Sequence, residues 1–198
     1  MNTHSSTSAS TSASTSVIDS NLHELITGIG DDKARKLYPI EKLDAHVRNV
    51  PHVAISIFVF HDQRLLLQKR ADTKYHSGGL WANTVCSHPR WNEDAKLCAL
   101  RRLHEELGWK VPLKEFGRID YTARVGKLYE NEHVHCFYGK LDEAELPAEF
   151  NPEEVSATQW LSIPEILEQM ASHPELFSAW FKIYMAQHRS MIDALIYQ

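Results

Sequence analysis

Cysteine is scarce in this chain: Cys86, Cys98 and Cys136 are the only three among 198 residues. An odd number without short regular spacing argues against a disulfide framework. A reducing compartment is expected, which makes the location cytoplasmic. Long hydrophobic runs are missing too, since nothing approaches the roughly 20 apolar residues of a membrane-spanning helix. No membrane association is therefore expected. Positive charge is in deficit, with 21 Lys and Arg against 26 Asp and Glu, a net charge of −5. General nucleic-acid binding calls for a basic surface, so any bound anion must be held by a local cluster of cations. Internal repeats are absent. Arginine is missing before Arg35, which argues against an organelle transit peptide in the Ser/Thr/Ala-rich residues 1–16. That stretch also lacks the basic n-region and apolar h-region of a secretory signal. Its apolar surface is too small to offset the entropy of ordering it, so it is expected to be disordered.

The remaining length suffices for one domain with a substantial core. The chain divides into a tail over residues 1–36 and a folded body over residues 37–198. Around Leu22, Leu25 and Ile26, residues 17–37 suggest a short amphipathic helix. Pro51 to Phe60 is a nearly continuous apolar, β-branched run, the pattern of a strand buried on both faces. Arg64 to Arg70 follows the turn His61-Asp62-Gln63 as a second strand, and Thr84-Val85-Cys86 is a short third strand ended by Pro89. A helix is expected from about Asn92 to Leu107, with Leu97, Leu100, Leu103 or His104, and Leu107 as its buried stripe. Gly108 would stop it in the left-handed conformation. Further strands are expected near 115–124, 132–139 and 156–161. Ser162-Ile163-Pro164-Glu165 is a capping-box signature that opens a helix to about Ser172. After Pro174 one last helix carries Phe177, Trp180, Phe181 and Tyr184. The fold class is mixed α/β, a mixed sheet flanked by helices.

Four constellations could carry chemistry. Cys86 and His88 are two apart on a strand and face one side, although most free cysteines are only small buried hydrophobes. His46, His52, His88, Glu130 and Glu132 form a candidate set for a divalent ion. Glu130 and Glu132 share one strand face, which leaves His133 and His135 on the other. Among 12 histidines each one alone is more often an ordinary residue. Lys42, Arg70, Lys74 and Arg102 form a candidate anion cluster, with arginine binding by bidentate hydrogen bonds and lysine as a point charge. They read equally well as solvated surface charges. Arg102 and Glu106 are neighbours on a helix face, and as a plain ion pair would contribute roughly 0.3–0.5 kcal/mol.

Arg101-Arg102-Leu103-His104-Glu105-Glu106-Leu107-Gly108-Trp109, with Glu93 before it, resembles a degenerate Nudix box. Ser87 stands where that box has Gly, and Arg102 where it has a metal-binding Glu. The departure undercuts diphosphate hydrolysis. Asn83-Thr84-Val85-Cys86-Ser87-His88-Pro89, Tyr129-Glu130-Asn131-Glu132-His133 and Phe177-Ser178-Ala179-Trp180 are similar to three motifs of the type I isopentenyl-diphosphate isomerases. Those enzymes are a branch of the Nudix fold.

The resemblance implies conversion of isopentenyl diphosphate to dimethylallyl diphosphate in isoprenoid biosynthesis, by proton transfer at carbon. It implies that Cys86 works on one face of the substrate and Glu132, helped by Tyr121, on the other. Trp180 would lie over the developing cation. His46, His52, His88, Glu130 and Glu132 would hold one divalent metal, Mn²⁺, Zn²⁺ or Mg²⁺. Glu106 and the Cys86 carbonyl would hold an Mg²⁺ that bridges to the diphosphate, and Lys42, Arg70, Lys74 and Arg102 would bind the diphosphate itself. A monomer or weak dimer is expected. The alternative is a Nudix hydrolase of a nucleoside diphosphate derivative, which calls for a Glu after Arg101 and has no need of Cys86.

Overall fold

The computed structural model describes residues 23–142 and 150–197. The expected disorder of residues 1–16 lies outside the described residues. Strand β3 (His52–His61) is the centre of the molecule. Its even and odd residues are divided between two cores: Ala54, Phe58 and Phe60 join one, Ile55, Ile57 and Val59 the other. This is the packing that a run without polar alternation requires. One side is covered by helix α2 (Ala95–Leu107), the other by α3 (Ile163–Ser172), α4 (Ala179–Gln187) and α5 (Arg189–Ile196).

The sheet contains both strand senses. β3 pairs in parallel with β8 (Leu128–Lys140) and antiparallel with β4 (Arg64–Arg70) and β6 (Val85–Ser87). β7 (Lys114–Val125) forms a long hairpin with β8, and β9 (Val155–Ser162) lies along β4. The two-residue β5 (Trp81–Ala82) pairs with β4.

Local signals act as the sequence suggests at several ends. Asp94 caps α2 by accepting from the backbone of Lys96 and Leu97 at 2.9 and 3.1 Å, and Gly108 closes it with φ of 69°. Ser162 and Glu165 complete a capping box on α3.

Three expectations need correction. Instead of a helix over 17–37, Leu25–Ile29 is strand β1, paired with β2 (Leu37–Glu41) and touching β3. The folded body therefore begins by Leu25, not near Leu37. Gly28 makes room for its strand neighbours: a Cβ there would meet the side chains of Ile40 and Tyr38 at 3.0 Å. The buried face of α2 is Cys98, Ala99, Arg102, Leu103, Glu106 and Leu107, while Leu97 is 62% exposed. Arg102 and Glu106 satisfy each other and further partners inside, so the helix turns them inward and Leu97 outward. The last helix is divided: a 3-10 turn (Pro174–Leu176) precedes α4, and the chain breaks again at His188 before α5.

Candidate active site

The start of β3 and the near end of β8 lie side by side in parallel register, with His52 opposite Glu132. Helix α1 (Lys42–Val47) brings His46 to this point, and the residue that follows β6 is His88. His88 Nε2 lies 2.9 Å from Glu132 Oε1, and His52 Nε2 lies 3.7 Å from the same oxygen. The ligand atoms of His46, His52, His88 and Glu132 all fall within 4.8 Å of one another. Glu130, two residues away on the same strand face, has Oε2 at 3.6 Å from His46 Nε2.

Backbone carbonyls decide which imidazole nitrogen faces this cluster. His46 Nδ1 donates to the Lys42 carbonyl at 2.6 Å and His52 Nδ1 to the Val50 carbonyl at 2.7 Å. Both Nε2 atoms face the carboxylates, buried and without a hydrogen-bond partner. A buried polar nitrogen of this kind is costly unless something binds it. Convergent imidazole nitrogens with two carboxylates fit a divalent cation. Electrostatics agree with the donor set. Burial pushes His88 well below its ordinary value, so the imidazole is neutral. Burial would raise Glu132, yet His52 and Tyr121 beside it outweigh that and hold its carboxyl at about 2.

Cys86 enters from β6, on the opposite side of β3 from Glu132. Its thiol donates to Asn83 Oδ1 at 3.0 Å and meets Ser56 Oγ at 3.4 Å. Ser56 is in turn 2.8 Å from the Tyr184 hydroxyl. Burial pushes the Cys86 thiol up to about 12, so it carries its proton at neutral pH. The Tyr121 hydroxyl donates to Glu132 Oε2 at 2.6 Å. Burial, with the Glu132 charge next, pushes that hydroxyl well above its ordinary value.

Lys42, Arg70, Lys74 and Arg102 line one cleft with Cys86, His88, Tyr121, Glu130, Glu132 and Trp180. The sequence-predicted cations therefore converge, and they do so with acidic company. Lys74 Nζ is 2.8 Å from Glu154 Oε2, and Arg102 reaches Glu154 Oε1 at 3.1 Å. Arg102 also holds Glu106 Oε1 at 2.8 Å. Desolvation works against the charge on Arg102, but Glu106 and Glu154 raise it further, so the guanidinium stays charged. The Arg70 guanidinium lies 5.3 Å from the ring centroid of Trp180, and Lys42 Nζ lies 5.5 Å from that of Tyr75.

Glu106 is buried behind Arg102 and is not one of the residues lining the cleft. Its Oε1 accepts from Arg102 and its Oε2 from the Gln68 amide at 2.9 Å. An Mg²⁺ ion held by Glu106 would share these two oxygens with Arg102 and Gln68. His133 and His135 lie on the outer face, paired with Asp120 and Glu115 at 2.8 and 3.0 Å, as strand alternation requires. Three residues at the site had no signal in the sequence. His76 and Glu154 sit in loops without periodicity, and Ser56 is lost inside an apolar strand.

The comparisons with known proteins agree with this geometry. The NUDIX domain matches residues 50–181. The isopentenyl-diphosphate Delta-isomerase of Cereibacter sphaeroides (strain KD131) is 45% identical over 159 residues, 79% of this chain and 89% of the relative. That of Rhodobacter capsulatus is 46% identical over 158 residues, again 79% and 89%. Among solved structures, DR0079 from Deinococcus radiodurans superposes with a TM-score of 0.60 at 14% identity, covering 75% of this chain and 90% of that one. A MutT Nudix hydrolase from Burkholderia pseudomallei gives 0.54 at 19%, covering 69% and 97%. These two show the fold alone. With a Nudix domain across most of the folded body and relatives matched over nearly their whole length, the chain belongs to the Nudix family and, within it, to the isopentenyl-diphosphate Delta-isomerases.

Proposed function

We propose that the chain isomerises isopentenyl diphosphate to dimethylallyl diphosphate by adding a proton to one carbon and removing one from another. The observation that carries this reading is the pair of proton-bearing groups, Cys86 and the Tyr121–Glu132 couple, reaching one cleft from strands on either side of β3. A general acid and a general base each contribute typically 10²–10⁴-fold. Cys86 keeps its proton at neutral pH and can exchange it with carbon. Glu132 is ionised and hydrogen-bonded by Tyr121, which orients it and can deliver or receive the second proton.

His46, His52, His88, Glu130 and Glu132 would hold a divalent ion, whose charge would fix the orientation of Glu132 and tune its basicity. Lys42, Arg70, Lys74 and Arg102 bind the diphosphate, whose remote binding energy positions the reacting carbons. Trp180 offers its π-face to developing positive charge, an interaction of about 2 kcal/mol or more when desolvated. Arg70 above the same indole is a cation already in that kind of contact. Tyr121 and Trp180, both almost fully buried, form walls that keep water from trapping the cation.

The hydrolase reading is disfavoured by Arg102. A guanidinium tied to Glu106 and Glu154 stands where hydrolysis needs a further metal-binding carboxylate. Reaction in D₂O with a divalent metal separates the two. Isomerisation places deuterium in the allylic product, at the carbon that becomes a methyl, without release of phosphate or diphosphate. Phosphate release at the rate of substrate loss, with no deuterium in the recovered product, would establish hydrolysis instead.

A further inference from the structure

His76 is a half-buried histidine of the cleft to which no motif gives a role. Its side chain is 8% exposed, and its Nε2 lies 3.2 Å from Glu130 Oε1. That oxygen is buried and forms no hydrogen bond of good geometry in the protein. Together with His46 and Glu130, both already in the ligand set, it makes a second group of candidate ligands. The ring is held from several sides. Ser77 Oγ lies 3.3 Å from His76 Nδ1, Tyr75 packs edge-on at 4.3 Å and Trp180 at 6.0 Å between ring centroids.

The backbone that places this ring is unusually constrained. Ser77, the next residue, has a φ of 51°, in the left-handed region that a non-glycine residue occupies only at a cost. At Gly78 a Cβ would stand 2.6 Å from the Asp72 carbonyl oxygen, so the loop closes tightly at that point. A strained turn beside a buried imidazole is expected where the direction of that imidazole matters.

We propose that His76 is a positioning residue of the metal centre: it holds Oε1 of Glu130 and so turns Oε2 toward His46. With the Ser77 hydroxyl donating to Nδ1, Nε2 carries the hydrogen and presents it at 3.2 Å to a carboxylate oxygen that has no hydrogen-bond partner. Partners that orient a ligand in this way typically change metal affinity by 10–100-fold when removed. The inference rests on the reading of His46, His52, His88, Glu130 and Glu132 as the metal ligands.

Co²⁺ is the probe. The metal-stripped full-length protein is titrated with Co²⁺ against a chromogenic chelator, and the visible spectrum of the loaded form is recorded. His76→Ala should bind Co²⁺ 10–100-fold more weakly than wild type. His76→Gln, whose amide can still donate, should recover most of that loss. At saturation all three spectra should coincide, because His76 orients a ligand without being one. Should His76→Ala fail to fold, His76→Phe fills the same space without a donor and takes its place. Equal affinity in wild type and the donor-less variant would overturn the proposal. A donor-less variant whose saturated spectrum reports a changed coordination number would overturn it as well, since His76 would then be a ligand. Wild type that binds no Co²⁺ at all would instead remove the metal-centre reading beneath it.

Discussion

Two polar clusters line the same cleft and solve the problem of burial in opposite ways. Around His52 and Glu132, imidazole nitrogens and carboxylate oxygens converge, and two of those nitrogens have no hydrogen-bond partner. Around Arg102, cations and carboxylates alternate: Lys74, Glu154, Arg102 and Glu106 form a chain of contacts between 2.8 and 3.1 Å. The first cluster would gain from binding a cation. The second is already paired, so a diphosphate must compete with Glu154 for Lys74 and Arg102. Acidic partners on the anion-binding arms keep those arms ordered and prevent any passing anion from binding tightly.

Several experiments would break or sharpen that contrast. The largest effect is expected from Glu132→Gln, which keeps shape but loses the charge. Turnover should fall by about 10²–10⁴-fold, and Cys86→Ala should be equally damaging. Wild-type rates in either variant would remove that residue from the reaction. In the second cluster, Arg102→Leu leaves Glu106 buried without its cation while Glu154 keeps only Lys74, a loss expected to cost about 3–5 kcal/mol of stability. Chemical denaturation would measure it, and an unchanged midpoint would mean that the network contributes little.

Metal loading should act on the first cluster alone. At a hundred times the dissociation constant, a divalent ion adds about 2.7 kcal/mol of stability, visible as a rise in Tm that chelation reverses. In Glu132→Gln the rise should shrink, and in Arg102→Leu it should persist. The smallest effect is expected at Leu97, which lies on the outer face of α2. Leu97→Gln should stay within about 0.5 kcal/mol of wild type, whereas a core position would lose several times more.

Much of the site was legible because its residues lie on regular elements. Alternation on β8 separated Glu130 and Glu132 from His133 and His135, and the helical turn joined Arg102 to Glu106. Composition and periodicity led only as far as a mixed α/β domain; the motif resemblance supplied the chemistry. What escaped reading depends on tertiary contact. Leu22, Leu25 and Ile26 imitate a helical stripe, and only pairing with β2 makes residues 25–29 a strand. Leu97 and Leu100 looked like core until the inward pull of Arg102 and Glu106 fixed the rotation of α2. Glu154 carries no local mark at all, since its meaning lies in Lys74 and Arg102, far away in the chain.

The parallel register of β3 and β8 has a consequence for how the chain reaches this state. His52 and Glu132 are 80 residues apart in sequence and come together only if that pairing is correct. A slip by a single residue would send Glu132 outward and bring His133 in. The same slip would carry Val134 and Cys136 out of the core and bring His135 toward it, so the core and the site reject the same error. Divalent metal in the medium during folding thus selects among registers, rewarding only the one that assembles the site. The yield of correctly paired chain on refolding should then rise with metal even where the final Tm is already high.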